Sequence, residues 1–233
     1  MTDGGRRALP APIAERARAF AAGGLPVSSP RPSSTVGLLR DGTGGGVEVY
    51  VHVRHVGMAF GGMLAFPGGK VDPVDGADAA EAFVRAAIRE THEETGVTLA
   101  PGDLVPWAHW VTPRFEERRY DTWFYLAALP DGQEPADVSG EASEVGWVRP
   151  ADALARADAG EWVALPPTAV LLTSITQFAT VAEALAAGAG RATETVLPGW
   201  LDDGAQVWSL LPGDPDYPGD DPGDDPDDEG KPT

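Results

Sequence analysis

The chain has 233 residues, a length that one domain can fill, and its hydrophobic fraction of 42% and charged fraction of 23% are those of a packed globular protein rather than a disordered, collagen-like or repeat chain. It holds no cysteine, which excludes disulfides, thiolate nucleophiles and cysteine–zinc sites and favours the cytoplasm. A formal net charge of −19 repels phosphodiester backbones and anionic lipid, so nucleic acid and membrane are excluded as main partners.

The first residues, MTDGGRRALPAPIAERARAFAAGG, place charge and proline where a secretory signal needs an unbroken apolar stretch. No later segment reaches about 18 purely apolar residues, the length of a membrane span. Ile13–Ala22 suits a short helix closed by Gly23-Gly24, and with the proline-rich PVSSPRPSS behind it makes residues 1–32 an N-terminal extension. The main domain is expected over 33–211. It opens with STVGLLR, the turn DGTGGG and VEVYVHVRH, a predicted β-hairpin whose second arm alternates Val47, Val49, Val51 and Val53 with Glu48, Tyr50, His52 and Arg54. MLAF predicts a strand that ends in a tight turn at Pro67-Gly68-Gly69. Ala77–Thr95 carries the strongest helix signal in the chain, with Gly96 placed to end it.

Further strands are predicted at about Leu104–Val111, Tyr120–Leu129 and Val145–Val148, and helices at about Ala151–Ala157 and Pro167–Ala186, the second as one buried core helix. A last hairpin, Glu194–Leu201 with Gln206–Leu211, turns on Asp202-Asp203-Gly204. Residues 212–233 hold six prolines and nine acids against Lys231, a net −8, and predict a disordered acidic tail. Strands before, between and after helices argue for an α/β (α+β) fold with a mixed sheet between helices.

The chemistry gathers at the end of the main helix, where Arg89, Glu90, Glu93 and Glu94 fall within six positions. At 100° per residue with Glu90 at 0°, Glu94 lies near 40° and Glu93 near 300°, so the three carboxylates share one face. Val84, Ala87, Ile88 and Thr91 occupy the arc from about 60° to 160° and are expected to face the core. Like charges at i, i+3 and i+4 repel by a few tenths of a kcal/mol per pair, and a hard divalent cation reverses that sign. Oxygen-only ligands without cysteine suit Mg²⁺ or Mn²⁺ better than Zn²⁺, and such ions neutralise phosphate oxygens and acidify a bound water. On spacing alone, a metal site and a solvated acidic face stand level.

The run Arg89-Glu90-Thr91-His92-Glu93-Glu94-Thr95-Gly96-Val97, with Glu81 eight residues before Arg89 and Gly68-Gly69 further back, resembles the Nudix box, G-x5-E-x7-R-E-U-x-E-E-x-G-U with U apolar. It departs from that pattern twice. Eleven residues separate Gly69 from Glu81 where the box has five, an insertion containing DPVDGA, and Thr91 stands at the first apolar position. The resemblance implies a Nudix α/β/α sandwich and a metal-dependent hydrolase of nucleoside-linked diphosphates. LAFPGG, RETHEETG and WVTPRFEERRYDTWFYLA further resemble the peroxisomal coenzyme A diphosphatase-like branch and its bacterial relatives, over about Ser33–Leu185. Gly62 fits the spacing of the signature that many coenzyme A-cleaving members carry, whereas Met58 stands where its second arginine would be. Coenzyme A or acyl-CoA therefore leads as the small-molecule substrate, ahead of ADP-ribose, dinucleotides and NDP-sugars.

Position by position, the resemblance implies Glu90, Glu93 and Glu94 as ligands of Mg²⁺ or Mn²⁺, with Arg89 orienting a glutamate through a salt bridge. Gly68 and Gly69 would form a turn at the substrate's phosphates, where Lys70 either reaches a phosphate or is simply exposed. A carboxylate outside the box often serves as ligand or base in such proteins. Glu144 has that position, with Glu141 as competitor, so Glu93, Glu144 and Arg89 are the expected catalytic residues. Arg114, Arg118 and Arg119 form a basic cluster that either grips phosphate beside Trp110, Phe115 and Tyr120 or pairs with Glu116, Glu117 and Asp121; Arg119 is the favoured substrate contact. His92 is expected to face solvent, and His52, His55 and His109 are given no catalytic role. The alternative is a Nudix-type module that binds a nucleotide without cutting it, although such a module has no need of three repelling acids. A Nudix-fold isomerase would want a proton donor such as cysteine. Homodimers are frequent in the family, which leaves a homodimer as one option.

Overall fold

The computed structural model describes residues 6–54, 62–140 and 142–218. In chain order its elements are β1 (Arg7–Ala8), α1 (Ala11–Ala21), β2 (Arg31–Asp41), β3 (Val47–Arg54), β4 (Met63–Ala65), β5 (Gly68–Lys70), α2 (Ala79–Thr95), β6 (Val105–Val111), β7 (Tyr120–Ala128), β8 (Ala142–Val148), α3 (Pro150–Asp158), β9 (Val163–Ala164), α4 (Pro166–Ile175), α5 (Val181–Gly188), β10 (Thr195–Val196), β11 (Gly199–Asp202) and β12 (Val207–Leu210). They divide into two compact units. The larger comprises Pro30–Trp110 and Tyr120–Thr195; the smaller comprises the described parts of Met1–Ser29, Val111–Arg119 and Val196–Thr233. His55, Met58, Glu141 and the tail from Gly219 lie outside the described residues.

The larger unit is built on the predicted hairpin of β2 and β3, with Leu39 opposite Val49 and Asp41 opposite Val47. β7 runs parallel to β2, from Arg31 opposite Tyr120 to Leu39 opposite Ala128. A parallel neighbour requires a crossover connection, and α2 lies in it. The mixed sheet has the order β10-β6-β7-β2-β3-β4-β9, with β5 added to β2 and β8 to β3. Alternate residues of β2 serve its two faces. Val36 and Leu38 pack with Tyr50, Tyr125, Val97 and Ala87 of α2. Gly37 points the other way, where an added Cβ would meet Leu126 at 2.8 Å and Leu171 of α4 at 3.6 Å. With helices against both faces, the unit is an α/β/α sandwich.

That double cover explains why the alternation along β3 does not separate core from solvent. Tyr50 and His52 are buried just as Val49 and Val51 are, because a strand in the middle of a two-sided sheet has no wet face.

The main helix forms as its sequence predicts. Asp78 accepts a hydrogen bond from the Glu81 amide at 3.0 Å, an N-cap that contributes about 1 kcal/mol. Gly96, at φ 76°, ends the helix in the left-handed conformation with its amide on the His92 carbonyl. Ala82, Ala86, Ala87 and Thr91 form its buried stripe.

Three local expectations are corrected. Gly68-Gly69 is not a free turn but part of β5, antiparallel to β2 with Thr35 opposite Gly68 and Ser33 opposite Lys70. The helix read over Pro167–Ala186 is two helices, because the Thr180 hydroxyl caps a new start by accepting from the Glu183 amide at 3.2 Å. The last hairpin is shorter than predicted, with Asp202 opposite Val207, and Thr195–Val196 stands apart from it in the main sheet.

In the smaller unit, β1, β12 and β11 make an antiparallel sheet beside α1. Arg18 of α1 pairs with Asp202 at 2.9 Å, and Phe115 packs edge-on to Trp200. No helix among the described residues is long and apolar enough to cross a membrane.

Candidate active site

The three box carboxylates share the C-terminal turns of α2 but differ sharply in environment. The Glu94 side chain is 8% exposed, that of Glu90 16% and that of Glu93 57%. Glu94 is fixed by the Gly68 amide, which donates to its Oε2 at 2.9 Å, so β5 and α2 are tied together at the site. His52 of β3 completes this corner, with Nδ1 3.9 Å from the same oxygen. Glu90 lies against Gly69, where an added Cβ would stand 2.3 Å from the carboxylate carbon. The glycine pair therefore makes room: Gly68 for the β2 backbone, whose Ser34 carbonyl would be 2.3 Å from a Cβ, and Gly69 for the Glu90 carboxylate.

Arg89 organises the cluster. Its Nη1 donates to Glu90 at 2.9 Å and to Glu93 at 3.1 Å, and its Nη2 to the Lys70 carbonyl at 2.9 Å. The remaining face of the guanidinium forms a bidentate pair with Asp75, Nε to Oδ1 at 3.0 Å and Nη2 to Oδ2 at 2.9 Å. Burial pushes the Asp75 carboxyl up, but hydrogen bonds from Arg89 and the Asp72 amide overcome it and hold it below the usual carboxylate range. Arg89 is shifted upward, first by its hydrogen bonds to Asp75. Glu90 moves up because it is buried, against the opposing pull of Arg89, and the neighbouring charge of Glu93 adds to the rise.

Asp75 was not anticipated. It belongs to the inserted segment, in a 3-10 turn over Pro73–Asp75, and its side chain is 3% exposed. Glu81, which the box alignment offered as the first acid, is 63% exposed and pairs with Arg85 one helical turn on. Asp75 stands after Gly69 with five residues between, the interval at which the box has its first glutamate. The extra residues therefore lie between Asp75 and Arg89, not between Gly69 and the first acid. The interval from Gly69 was the available signal.

The other predicted residues fall as follows. Lys70 is exposed, and its carbonyl holds Arg89. Glu144, on β8 opposite Val53, has one oxygen on Arg156 at 3.2 Å and the other on the Trp162 indole at 3.2 Å. Arg119 belongs to the smaller unit, where it is buried and donates to the carbonyls of Thr112 at 3.0 Å and Ser28 at 2.8 Å. Glu116 pairs with Arg16 at 3.0 Å and Asp121 with His109, so neither takes an arginine of the 114–119 cluster in these contacts. Trp110 and Phe115 are core residues of their own units. His92 is exposed, as its wheel position predicted. His52 was set aside in the sequence because no ligand partner lay near it along the chain; the sheet brings it to Glu94.

Comparison with known proteins agrees with this geometry. A profile of the NUDIX domain matches residues 30–166. A Caenorhabditis elegans protein named as nudix hydrolase 7 is 30% identical over 151 residues, covering 49% of this chain and 50% of that one, so the chain spans about half the length of this relative. The crystal structure of a NUDIX hydrolase from Alicyclobacillus acidocaldarius superposes with a TM-score of 0.62 at 26% identity, over 68% of this chain and 96% of the other. With the profile covering more than half of its length and the box carboxylates gathered on one helix end, the chain belongs to the Nudix hydrolase family.

Proposed function

We propose that the chain hydrolyses the diphosphate bond linking a nucleoside to another moiety, with Mg²⁺ or Mn²⁺ as cofactor, and that coenzyme A or an acyl-CoA is its leading substrate, ahead of ADP-ribose, dinucleotides and NDP-sugars. The observation that carries this reading is the gathering of Glu90, Glu93 and Glu94 at one end of α2 under the common control of Arg89. Coenzyme A leads because LAFPGG, RETHEETG and RYDT resemble that branch of the family.

The donor set fits a hard cation, since it consists of carboxylate oxygens without sulfur. Among the described residues no three acidic or imidazole groups form a ready cage, because Glu90 and Glu93 turn to Arg89 and Glu94 to the Gly68 amide. Three like charges without a cation are expected to orient in this way. Glu93 is exposed enough to turn from Arg89 toward a ligand. Bound there, the cation supplies charge neutralisation at phosphate oxygens and acidifies a water.

The chain's own residues divide the remaining work. Glu94 and Glu90 are held by β5 and Arg89 and form the fixed part of the ligand set. Glu93, the most exposed, accepts the proton of the attacking water. Arg89, anchored on Asp75, keeps two carboxylates in register. Gly68 and Gly69 let the backbone approach the phosphates closely, and Lys70 offers its ammonium to them. Glu144 is a second candidate base, with both oxygens already engaged, and Arg119 a candidate substrate contact.

The test is incubation of the protein with Mg²⁺ or Mn²⁺ and a panel of coenzyme A, acetyl-CoA, ADP-ribose, NADH, diadenosine polyphosphates and UDP-glucose, read by mass spectrometry with Glu93→Gln as control. Release of 3′,5′-ADP and a phosphopantetheine from coenzyme A, absent in the variant, is expected. Cleavage of another panel member alone keeps the chemistry and discards the coenzyme A reading, and tight binding without turnover sinks the hydrolase.

A further inference from the structure

Beside the carboxylates, the face of β3 turned to α2 carries a buried polar group that the reaction does not use. Tyr50, His52, Glu94, Asp137, Ser139 and Val145 line a cavity of about 10 Å³. That is the space one water needs. Tyr50 is 2% exposed, and its hydroxyl has no hydrogen-bond partner among the described residues. Its ring is held edge-on to Trp147 at 5.5 Å, which fixes where the hydroxyl points. A buried hydroxyl without a partner is costly, and native proteins satisfy such groups with ordered water when the site is polar and large enough.

The donor count selects the occupant. Burial, and after it the charge of Asp137, push the Tyr50 hydroxyl's pKa up, so it keeps its proton and donates. The side-chain oxygens of Glu94 and Asp137, which also line the cavity, offer acceptors on its other side. One water satisfies both sides, accepting from Tyr50 and donating to two carboxylates. A cation would accept nothing from a protonated tyrosine.

We propose that this cavity seats one ordered water that accepts the Tyr50 hydrogen bond and donates to Glu94 and Asp137, which makes Tyr50 a positioning residue for Glu94. The proposal rests on the reading of Glu94 as a metal ligand. It gives Glu94 a further anchor beside the Gly68 amide and His52. Outer partners of metal-binding carboxylates typically alter metal affinity tenfold or more when removed.

The test pairs crystallography with direct metal binding. In crystals of the full chain soaked with Mn²⁺, a peak without anomalous signal is expected within hydrogen-bond reach of Tyr50 Oη and Glu94, and it should be missing in Tyr50→Phe. Free Mn²⁺, followed by electron paramagnetic resonance, should report an affinity about tenfold weaker in Tyr50→Phe and weaker still in Glu94→Gln. An anomalous peak in the cavity, or no peak there in the wild type, overturns the water. Unchanged Mn²⁺ affinity in Tyr50→Phe while Glu94→Gln loses it overturns the positioning role alone. Unchanged affinity in Glu94→Gln overturns the metal assignment and the positioning role with it. Tyr50→Phe keeps the ring on Trp147, and the wild-type density does not depend on the variant's stability.

Discussion

Replacing Asp75 by alanine separates two placements of the box's first acid. The substitution removes both bonds to the Arg89 guanidinium and leaves the Asp72 amide without the oxygen it donates to at 2.8 Å. Breaking a buried ion pair by deleting one partner costs about 3–5 kcal/mol when the other charge is stranded. Arg89 is not stranded, since Glu90, Glu93 and the Lys70 carbonyl remain and its side chain is 21% exposed, so about 2–3 kcal/mol is expected. In a chain of this length that lowers the melting temperature by about 5–10 °C. Glu81→Ala deletes an exposed pair with Arg85 and should cost less than about 0.5 kcal/mol. The pH dependence carries its own sign. Because the folded-state pKa of Asp75 lies below the ordinary 3.8, its contribution is complete above that value and is lost as pH falls through the folded pKa. The gap between wild type and Asp75→Ala should therefore be full at pH 7 and narrow below pH about 4. Urea unfolding followed by circular dichroism at both pH values is the assay. Equal losses for the two variants, or a gap that widens in acid, would refute the Asp75–Arg89 clamp.

Gly68→Ala and Gly69→Ala should fail differently. The first drives a Cβ into the Ser34 carbonyl and should cost about 3 kcal/mol in urea unfolding, whereas the second displaces the Glu90 carboxylate and should cost about 1 kcal/mol but lower turnover about 100-fold. Glu93→Gln should lower kcat about 1000-fold with little change in melting temperature, because its side chain is largely exposed. Glu144→Gln should keep kcat within about tenfold of wild type if Glu93 is the base; a loss as large as that of Glu93→Gln in the same steady-state assay would transfer the role.

What was legible in the chain was the part governed by local chemistry. The α2 helix announces itself through the strongest helical pattern in the chain, its apolar arc and the glycine placed to close it, all within one stretch of sequence. The hairpin of β2 and β3 was equally visible, because a glycine-rich turn joins two apolar arms. Pro167–Ala186 misled because hydrophobic periodicity runs on through Gln177–Ala179, and only the capping bond from Thr180 to Glu183 shows where one helix ends and another begins. Gly68-Gly69 misled for another reason. A glycine pair after proline suggests a turn, yet here the missing side chains are needed by neighbours distant in sequence, the Ser34 carbonyl on one side and Glu90 on the other.

The residues that sequence missed share one property: their partners come from another element. Tyr50 and His52 read as the weaker half of an alternating strand until helices cover both faces of the sheet and bring Glu94 to them. Asp75 read as part of an insertion, and insertions are ordinarily set aside as surface loop. Its burial follows from Arg89, whose guanidinium has five donors and could not satisfy them on Glu90 and Glu93 alone without drawing both carboxylates off the helix edge. A second acid opposite the box helix resolves that conflict. It holds the arginine from behind, so that the front of the guanidinium is left to set the two glutamates. The same logic predicts that any insertion lengthening the Gly69–Asp75 interval should disturb Glu90 before it disturbs the fold, since the clamp and the carboxylate are joined through one side chain.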